Sequence, residues 1–301
     1  MLKTPLLFLI FNRPSTTAKV FAEIRKIKPK RLFIAADGPR DDVFSDKERC
    51  IEARKITENI DWKCNVTRLY RESNLGCKKA VSSAIDWFFE NVEEGIILED
   101  DIFPNQSFFK FCERMLALYR KEKRIMHIGG VNFQNWDKNV RDGYYFSKYV
   151  HIWGWASWKR AWKGYDVNMQ DWPEIDSKGI LDKYYDNLIE KIYWNTIFEA
   201  AYSGKIDTWD YQFVYHIWKN GGISIVPNKN LVSNIGFGKG ASHTSSKNSK
   251  LSEAKLFEMN PSFKNKIIKI NSEADIYTRK YIFKINLINI LKHKLYYKWL
   301  V

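Results

Sequence analysis

Gly95-Ile96-Ile97-Leu98-Glu99-Asp100-Asp101 is the stretch whose reading decides the fold. The apolar run has the length of a short buried strand, and three carboxylates follow it without a break. In a parallel sheet, ligands bind outside the carboxyl ends of the strands, so acids placed there face a crevice. Adjacent carboxylates repel one another unless a cation or a helix N-terminus offsets them. A hard ion with oxygen ligands, Mg2+ or Mn2+, is the natural counter-charge, and it would carry a diphosphate on its far side. Taken alone, the triplet is more simply a solvated loop, and the surrounding sequence has to decide.

Upstream, apolar runs and helical periodicity alternate. Leu6–Phe11 has strand character, and Ser15-Thr16-Thr17 caps a helix over Ala18–Lys28, with Val20, Phe21, Ile24 and Ile27 at helical spacing. A strand over Lys30–Ala36 ends in the turn signal Asp37-Gly38-Pro39-Arg40, and a helix over Ser45–Asn59 follows. Trp62–Tyr70 reads as a third strand. Asn74-Leu75-Gly76 then turns the chain into an amphipathic helix over Lys78–Asn91. The alternation predicts βαβ units and an α/β fold: a mostly parallel central sheet flanked by helices. Asn12-Arg13, Asp37-Gly38, Arg71–Gly76 and Glu99-Asp100-Asp101 each follow a strand and therefore converge on one sheet edge.

Downstream, the pattern predicts a helix over Ser107–Lys121, a strand over Ile125–Ile128 and a loop over Asn132–Asn139. A strand over Tyr144–Trp153 runs into a Trp-rich segment that ends at Trp162. Helices are expected near Ile180–Tyr185, Asn187–Ser203 and Tyr211–Asn220, then a strand over Ile223–Val226 and a Gly-rich loop over Asn234–His243. The expected organisation is a catalytic domain over 1–245, with a nucleotide-binding half over about 1–104 and an acceptor half over 105–245. A basic helical extension occupies 246–301.

Composition narrows the class. The chain has 301 residues, is 45% hydrophobic and carries a net charge of +14, enough apolar material for a large core. Lys247–Val301 holds 12 Lys and Arg against 4 Asp and Glu, so basic charge concentrates near the C-terminus. Such a segment suits nucleic acid, anionic lipid or an anionic glycan. No helix-turn-helix, RNA-recognition or zinc signature accompanies it, so no specific nucleic-acid partner is expected. Ile282, Ile285, Ile288 and the Leu291–Leu295 segment, interleaved with Lys284, Lys292, Lys294 and Lys298, suggest peripheral association with anionic membrane. No apolar run is long enough to span a bilayer, and Met1–Phe11 reads as a strand rather than a leader, which points to the cytoplasm or the inner membrane face. Cys50, Cys64, Cys77 and Cys112 form no C-x-x-C pair and read as free thiols.

Leu98-Glu99-Asp100-Asp101-Ile102-Phe103-Pro104 followed by Phe108-Phe109 resembles the acidic motif of the N-acetylglucosaminyltransferase I-like glycosyltransferases, inverting enzymes of the GT-A fold. Gly154-Trp155, Trp209-Asp210 and Phe237-Gly238-Lys239-Gly240-Ala241-Ser242-His243 resemble later motifs of that family, in order, so the likeness covers roughly residues 5–245. The resemblance implies Asp101 as the direct ligand of Mn2+ or Mg2+, with Glu99 and Asp100 touching ribose, sugar or metal-bound water. Asn12, Arg13 and Asp37 would lie near the base and diphosphate, Asp37 accepting from uracil. Lys78 stands where the family places a nucleotide contact of another residue type. Asp210 matches the general base. The Gly-rich loop matches a lid, with Ser242 near the phosphates and His243 a further metal or phosphate contact. Gly154, Trp155, Trp158, Trp136 and Trp209 would line or support the sugar site.

The chemistry is consistent with these roles. Inverting transfer needs a carboxylate base opposite the leaving nucleotide, a counter-charge for the departing diphosphate and exclusion of water. Each residue has a plainer alternative: Asp210 as a helix N-cap, Asp37 as a turn residue, Arg13 as a simple ion-pair partner, the Trp residues as packing. The expected substrates are a nucleoside-diphosphate sugar, most simply a UDP-sugar, and a glycan or lipid-linked acceptor for a surface glycan or glycoconjugate. The competing enzyme class is a sugar-nucleotide pyrophosphorylase, although Phe11-Asn12-Arg13-Pro14-Ser15-Thr16 lacks the glycines of a triphosphate loop. The non-enzymatic alternative is a carbohydrate- or nucleic-acid-binding module.

Overall fold

A computed structural model describes residues 1–134, 143–236, 254–260 and 263–298. β1 (Leu6–Ile10), β2 (Arg31–Ala36), β3 (Asn65–Tyr70) and β4 (Glu94–Glu99) alternate with α1 (Pro14–Ile27), α2 (Asp46–Ile56) and α3 (Gly76–Asn91). A short β5 (Ile102–Pro104) and α4 (Gln106–Tyr119) lead to β6 (Ile125–Gly129), β7 (Tyr144–Ser147) and β8 (Trp155–Trp158). Then come α5 (Lys159–Trp162), α6 (Trp172–Ser177), α7 (Leu188–Tyr202), α8 (Asp210–Lys219), β9 (Ile223–Pro227), β10 (Val232–Asn234), α9 (Ser272–Tyr277) and α10 (Leu287–Lys298).

Eight strands form one sheet in the order β3-β2-β1-β4-β8-β6-β9-β7, and β10 pairs with β5 beside it. β1 to β4 are parallel, β8 runs antiparallel between β4 and β6, and β6 and β9 are parallel again. The fold is thus α/β, with a large, mostly parallel sheet flanked by helices. Every residue of β1 is buried, which explains why it reads as an unbroken apolar run rather than an alternating one. Gly95, the second residue of β4, lies where the Phe88 ring of α3 leaves no room for a side chain.

Three local expectations change. The first helix begins at Pro14, not Ala18: proline at the first helical position needs no N–H partner, and the Thr16 and Thr17 hydroxyls donate to the Arg13 carbonyl from within the first turn. The strand expected over Tyr144–Trp153 stops at Ser147. There the Lys148 ammonium turns inward to Glu190 and Asp186, each 3.0 Å away, and Gly154 (φ +57°) reverses the chain into the separate strand β8. Burial and pairing also give β8 and β10 to segments whose sequence shows no strand alternation.

The described part of the C-terminal segment packs against the rest of the chain. Asp275 accepts from Ser147 Oγ at 2.6 Å and from the Lys148 N–H at 3.1 Å, and Gln134 Nε2 donates to the Ala274 carbonyl and the Thr278 hydroxyl. Arg279 reaches Asp186 at 3.3 Å and Glu190 at 3.8 Å. Phe283 packs against Tyr149, His151 and Trp194, and Ile290 is buried where α10 meets α7. The boundary expected at 245 falls outside the described residues.

Burial pushes the Asp275 carboxyl up to about 6, while its hydrogen bonds to Ser147 and Lys148 pull the other way. A raised acid binds its proton more tightly in the folded chain, so its stabilisation is present below the unfolded value of about 4 and is lost as pH rises through about 6. Denaturation midpoints measured between pH 4 and 7 are expected to show this component in the natural chain and to lose it in Asp275→Asn. An unchanged pH profile in the variant would refute the assignment.

Candidate active site

The four polar clusters leave the carboxyl ends of β1 to β4 side by side. Arg13, directly after β1, donates from Nη1 to Asp101 Oδ2 at 2.6 Å, and the same nitrogen lies 3.5 Å from Asp100 Oδ1. Asp100 also accepts from the Phe11 N–H at 3.0 Å. Register explains the meeting: β1 and β4 pair in parallel, with Leu9 opposite Glu99, so the residues beyond both strands emerge together. One guanidinium therefore faces three acids. Burial, reinforced by Asp101 and Asp100, raises Glu99 to about 8, and burial with Asp101 raises Asp100 to about 7. Asp101 is raised by burial and pulled back by Arg13. No hydrogen-bond partner meets the Glu99 carboxyl among the described residues.

Asn12 turns away from this cluster: its Nδ2 donates to Asp46 Oδ1 at 2.7 Å, and Asp46 is paired in turn with Arg40 at 2.6 Å. Asp37 is heavily engaged. It accepts from the Gly38 N–H at 2.9 Å, the Leu75 N–H at 3.1 Å and Asn74 Nδ2 at 2.9 Å. These bonds tie the β2–α2 loop to the β3–α3 loop, and Gly38 lies so close to the Ser73 backbone that no side chain fits. Lys78 lies in the first turn of α3, half-buried.

Asp210 is the first residue of α8. Its Oδ1 accepts from the Tyr211 N–H at 2.9 Å and from the Thr208 hydroxyl. Its charge adds to the shift of Glu99, and Glu99, Asp210 and Asp207 together reinforce the burial that pushes the Cys77 thiol up to about 12. The acidic triplet and Asp210 thus share one region of negative potential around the N-terminus of α3. Asp207 and Cys77 belong to it although nothing in the sequence pattern singles them out; the acid three residues before Asp210 was the available signal.

The tryptophans stand behind this crevice. Trp155 and Trp209, 1% and 2% exposed, stack on each other with centroids 5.8 Å apart, among Trp162 and Phe213. Trp158 is also core, and Tyr165 donates to the Trp209 carbonyl at 2.9 Å. Their burial makes them the packing that sets the start of α8 rather than a surface for a ligand. Gly154 packs on Leu98 and Ile102 behind the triplet.

The chain that enters the Gly-rich loop reaches the site. The Ile235 N–H donates to the Asp101 carbonyl at 2.8 Å, and Gly236 abuts the Asp101 carboxylate so closely that a Cβ would collide with it. Ser242, His243 and Trp136 lie outside the described residues. A cavity of about 180 Å3 is lined by Asp210 together with Tyr211, Trp153, Trp194, Ile282 and Phe283 among others.

Carboxylate oxygens at Glu99, Asp100 and Asp101 are the right donors for Mg2+ or Mn2+. Among the described residues, however, no group of three His, Cys, Asp or Glu side chains is arranged to hold a metal, and Asp101 is already paired with Arg13. A cation at Asp101 would draw the rest of its shell from water or from the phosphates of a bound nucleotide, the usual arrangement for Mg2+.

The chain matches no family profile and no curated protein sequence. Among solved structures it overlays in part on HddC from Yersinia pseudotuberculosis, at 6% identity and a TM-score of 0.31, covering 52% of this chain and 77% of that one. It overlays on 4-diphosphocytidyl-2C-methyl-D-erythritol synthase from Anaerococcus prevotii at 11% identity and 0.32, covering 52% and 72%. A UDP-glucose pyrophosphorylase complexed with UDP-glucose gives 14% identity and 0.26, covering 49% and 63%. Likeness of this extent assigns no activity.

Asp37→Ala removes the acceptor of the Gly38 and Leu75 N–H groups, while the Asn74 amide keeps the Gly38 carbonyl, and is expected to cost about 1–3 kcal/mol in chemical denaturation without any nucleotide present. A change within about 0.5 kcal/mol would show that the carboxylate does not hold these loops.

Proposed function

We propose that this protein is a nucleotide-sugar enzyme that transfers a glycosyl group from a nucleoside-diphosphate sugar, most simply a UDP-sugar, to an acceptor hydroxyl with inversion. The observation that carries the reading is the acidic cluster at the carboxyl ends of β1 and β4, where Arg13 meets Asp100 and Asp101 beside Glu99, with Asp210 at the start of α8 as a further carboxylate whose charge bears on Glu99. Asp210 takes the acceptor hydroxyl proton, the acceptor oxygen bonds to the anomeric carbon, and the bond to the diphosphate breaks with its electron pair leaving on the nucleotide. The α3 N-terminus lies on the same edge and suits the departing phosphates, while Arg13 is engaged by Asp101. Mn2+ or Mg2+, held by Asp101 with support from Glu99 and Asp100, would supply positive charge to the diphosphate when bound. The acceptor is a glycan or lipid-linked sugar.

A second reading is a sugar-nucleotide pyrophosphorylase, the activity in the name of one overlaid protein. Pyrophosphorolysis needs a cationic, glycine-rich cradle after β1; here that place offers Arg13, already bound to Asp101, and Pro14. Incubation with UDP-sugars and pyrophosphate decides: UTP formation would establish the second reading and remove the first. For the first, Asp101→Ala should abolish metal-dependent UDP binding in calorimetry. Asp210→Asn should keep that binding while slowing transfer by roughly 10²–10⁴-fold; near-normal turnover would place the base elsewhere.

Membrane association rests on α10. Leu287, Ile288, Leu291 and Leu295 are each more than half exposed and share one helix face, while Ile290 on another face is buried. From Ile276 to Val301 there are six Lys and Arg and no Asp or Glu. This combination of apolar stripe and unopposed cations suits an anionic leaflet, at about 1 kcal/mol per basic residue near the surface. Co-sedimentation with phosphatidylglycerol vesicles at low salt is expected, with loss of binding on phosphatidylcholine and in the double variant Leu291→Glu, Leu295→Glu. Equal recovery of both proteins with the vesicles would exclude α10 as the contact.

A further inference from the structure

The sheet edge opposite the acidic triplet carries the reverse charge. Residues 25–31 (Arg-Lys-Ile-Lys-Pro-Lys-Arg) close α1 and enter β2, and residues 120–124 (Arg-Lys-Glu-Lys-Arg) join α4 to β6. Residues 159–163 (Lys-Arg-Ala-Trp-Lys) follow β8, which runs antiparallel to β4 and β6, so its exit lies beside their entries. Together these three segments hold 12 Lys and Arg against one Glu, so the edge is cationic well beyond the average of the chain.

Backbone pairing sets the segments in a row. The Lys30 N–H donates to the Leu2 carbonyl, the Asn65 N–H to the Lys30 carbonyl, and the Lys159 N–H to the Glu93 carbonyl. The Arg160 guanidinium donates to the carbonyls of Arg120 and Glu122, which ties the second segment to the third. Some of the cations are matched nearby: Arg25 by Asp61, Lys26 by Glu23, Arg120 by Glu94 and Arg124 by Glu122. Lys28, Lys30, Lys63, Lys121, Lys123 and Lys163 are exposed, and their ammonium groups meet no carboxylate or hydrogen-bond acceptor among the described residues. From β2 across β1, β4 and β8 to β6 the row covers four strand spacings, about 19 Å. The five residues of β1 place it about 17 Å from the acids, beyond the screening length of about 8–10 Å, so the triplet does not cancel it.

The length and chemistry of the row define its partner. A single anion would engage one or two of these lysines, whereas a chain of charges engages them all. Lysine ammonium groups on flexible stems act as point charges and impose no planar geometry. Trp62, Trp158 and Trp162 beside the segments are buried, so the edge has no aromatic platform on which a base could stack. Met1 is the exposed large apolar side chain that adjoins it, too little to enter a bilayer. We propose that this edge binds a linear phosphate-bearing polymer, recognised through its backbone charge alone. The proposal stands independently of the roles of Asp101 and Asp210.

Calorimetry of the full chain with long-chain linear polyphosphate, over a series of salt concentrations, tests it. Binding is expected, with log affinity falling linearly against log salt. The edge variant Lys28→Gln, Lys30→Gln, Lys121→Gln, Lys123→Gln should lose roughly tenfold or more in affinity and show a shallower salt slope. The control variant Lys269→Gln, Lys280→Gln, Lys284→Gln, Lys292→Gln loses the same net charge elsewhere and should change affinity by less than about twofold. Thermal midpoints of both variants should match the natural chain, since the replaced side chains are exposed. Equal losses in the two variants would reduce the effect to net charge and overturn the surface, as would no polyphosphate binding or an edge variant that binds normally. Inorganic phosphate binding as tightly as the polymer would also overturn it, by revealing a single-ion site. Oligothymidylate of matched charge should bind like polyphosphate; a tighter, salt-insensitive grip would mean base recognition and exclude the charge-only reading. Phosphatidylglycerol vesicles supply the lipid comparison. Vesicle binding that depends on the edge lysines while polyphosphate binding does not would make the partner a membrane and refute the polymer.

Discussion

Three crowded carboxylates, Asp100 buried and Glu99 and Asp101 half-buried, held against one guanidinium are the constraint on which the rest of this structure depends. Arg13 cannot neutralise Glu99, Asp100 and Asp101 together, and burial makes the surplus costly. The arrangement persists because β1 and β4 are locked in parallel register, so Arg13 and the Phe11 N–H are carried to the acids by backbone pairing rather than by flexible side chains. Acids whose protons are held this tightly by burial and by one another become fully ionised only when a cation replaces those protons.

The half up to residue 104 was legible because its information is local. Leu6–Ile10, Arg31–Ala36 and Glu94–Glu99 are short apolar runs ended by polar residues, and that pattern alone places the acids on one edge. The half beyond residue 104 was less legible because long-range pairing decides it. Trp155–Trp158 becomes a strand through its neighbours β4 and β6, and the Tyr144 strand ends where a buried Lys148 finds its counter-ions some 40 residues away. Trp155 and Trp209 looked like ligand-facing aromatics; their burial shows how weakly composition separates a stacking platform from a core. Phe283 had no local signal at all, since its place depends on Asp275 and Arg279 finding partners more than 90 residues upstream.

The aromatic block beneath Asp210 gives the second site a different physical basis from the first. Charge and register position the triplet. Asp210 is positioned by shape: Trp209 is wedged against Trp155, Tyr165 grips its carbonyl, and the helix start is pinned through Thr208 and Tyr211. Packing of this kind is short-ranged and insensitive to salt, whereas the Arg13 cluster responds to any ion that enters it.

The latch that holds residues 275–283 separates two kinds of inheritance. Asp275 and Arg279 anchor the segment, while Ile282 and Phe283 face the cavity, and all lie within one short stretch near the end of the chain. Substitutions at Ile282 and Phe283 can therefore reshape this wall while the anchors stay in place, without disturbing a single strand of the sheet. The cavity wall and the acids after β4 can vary independently, because the fold stores them in separate parts of the polypeptide.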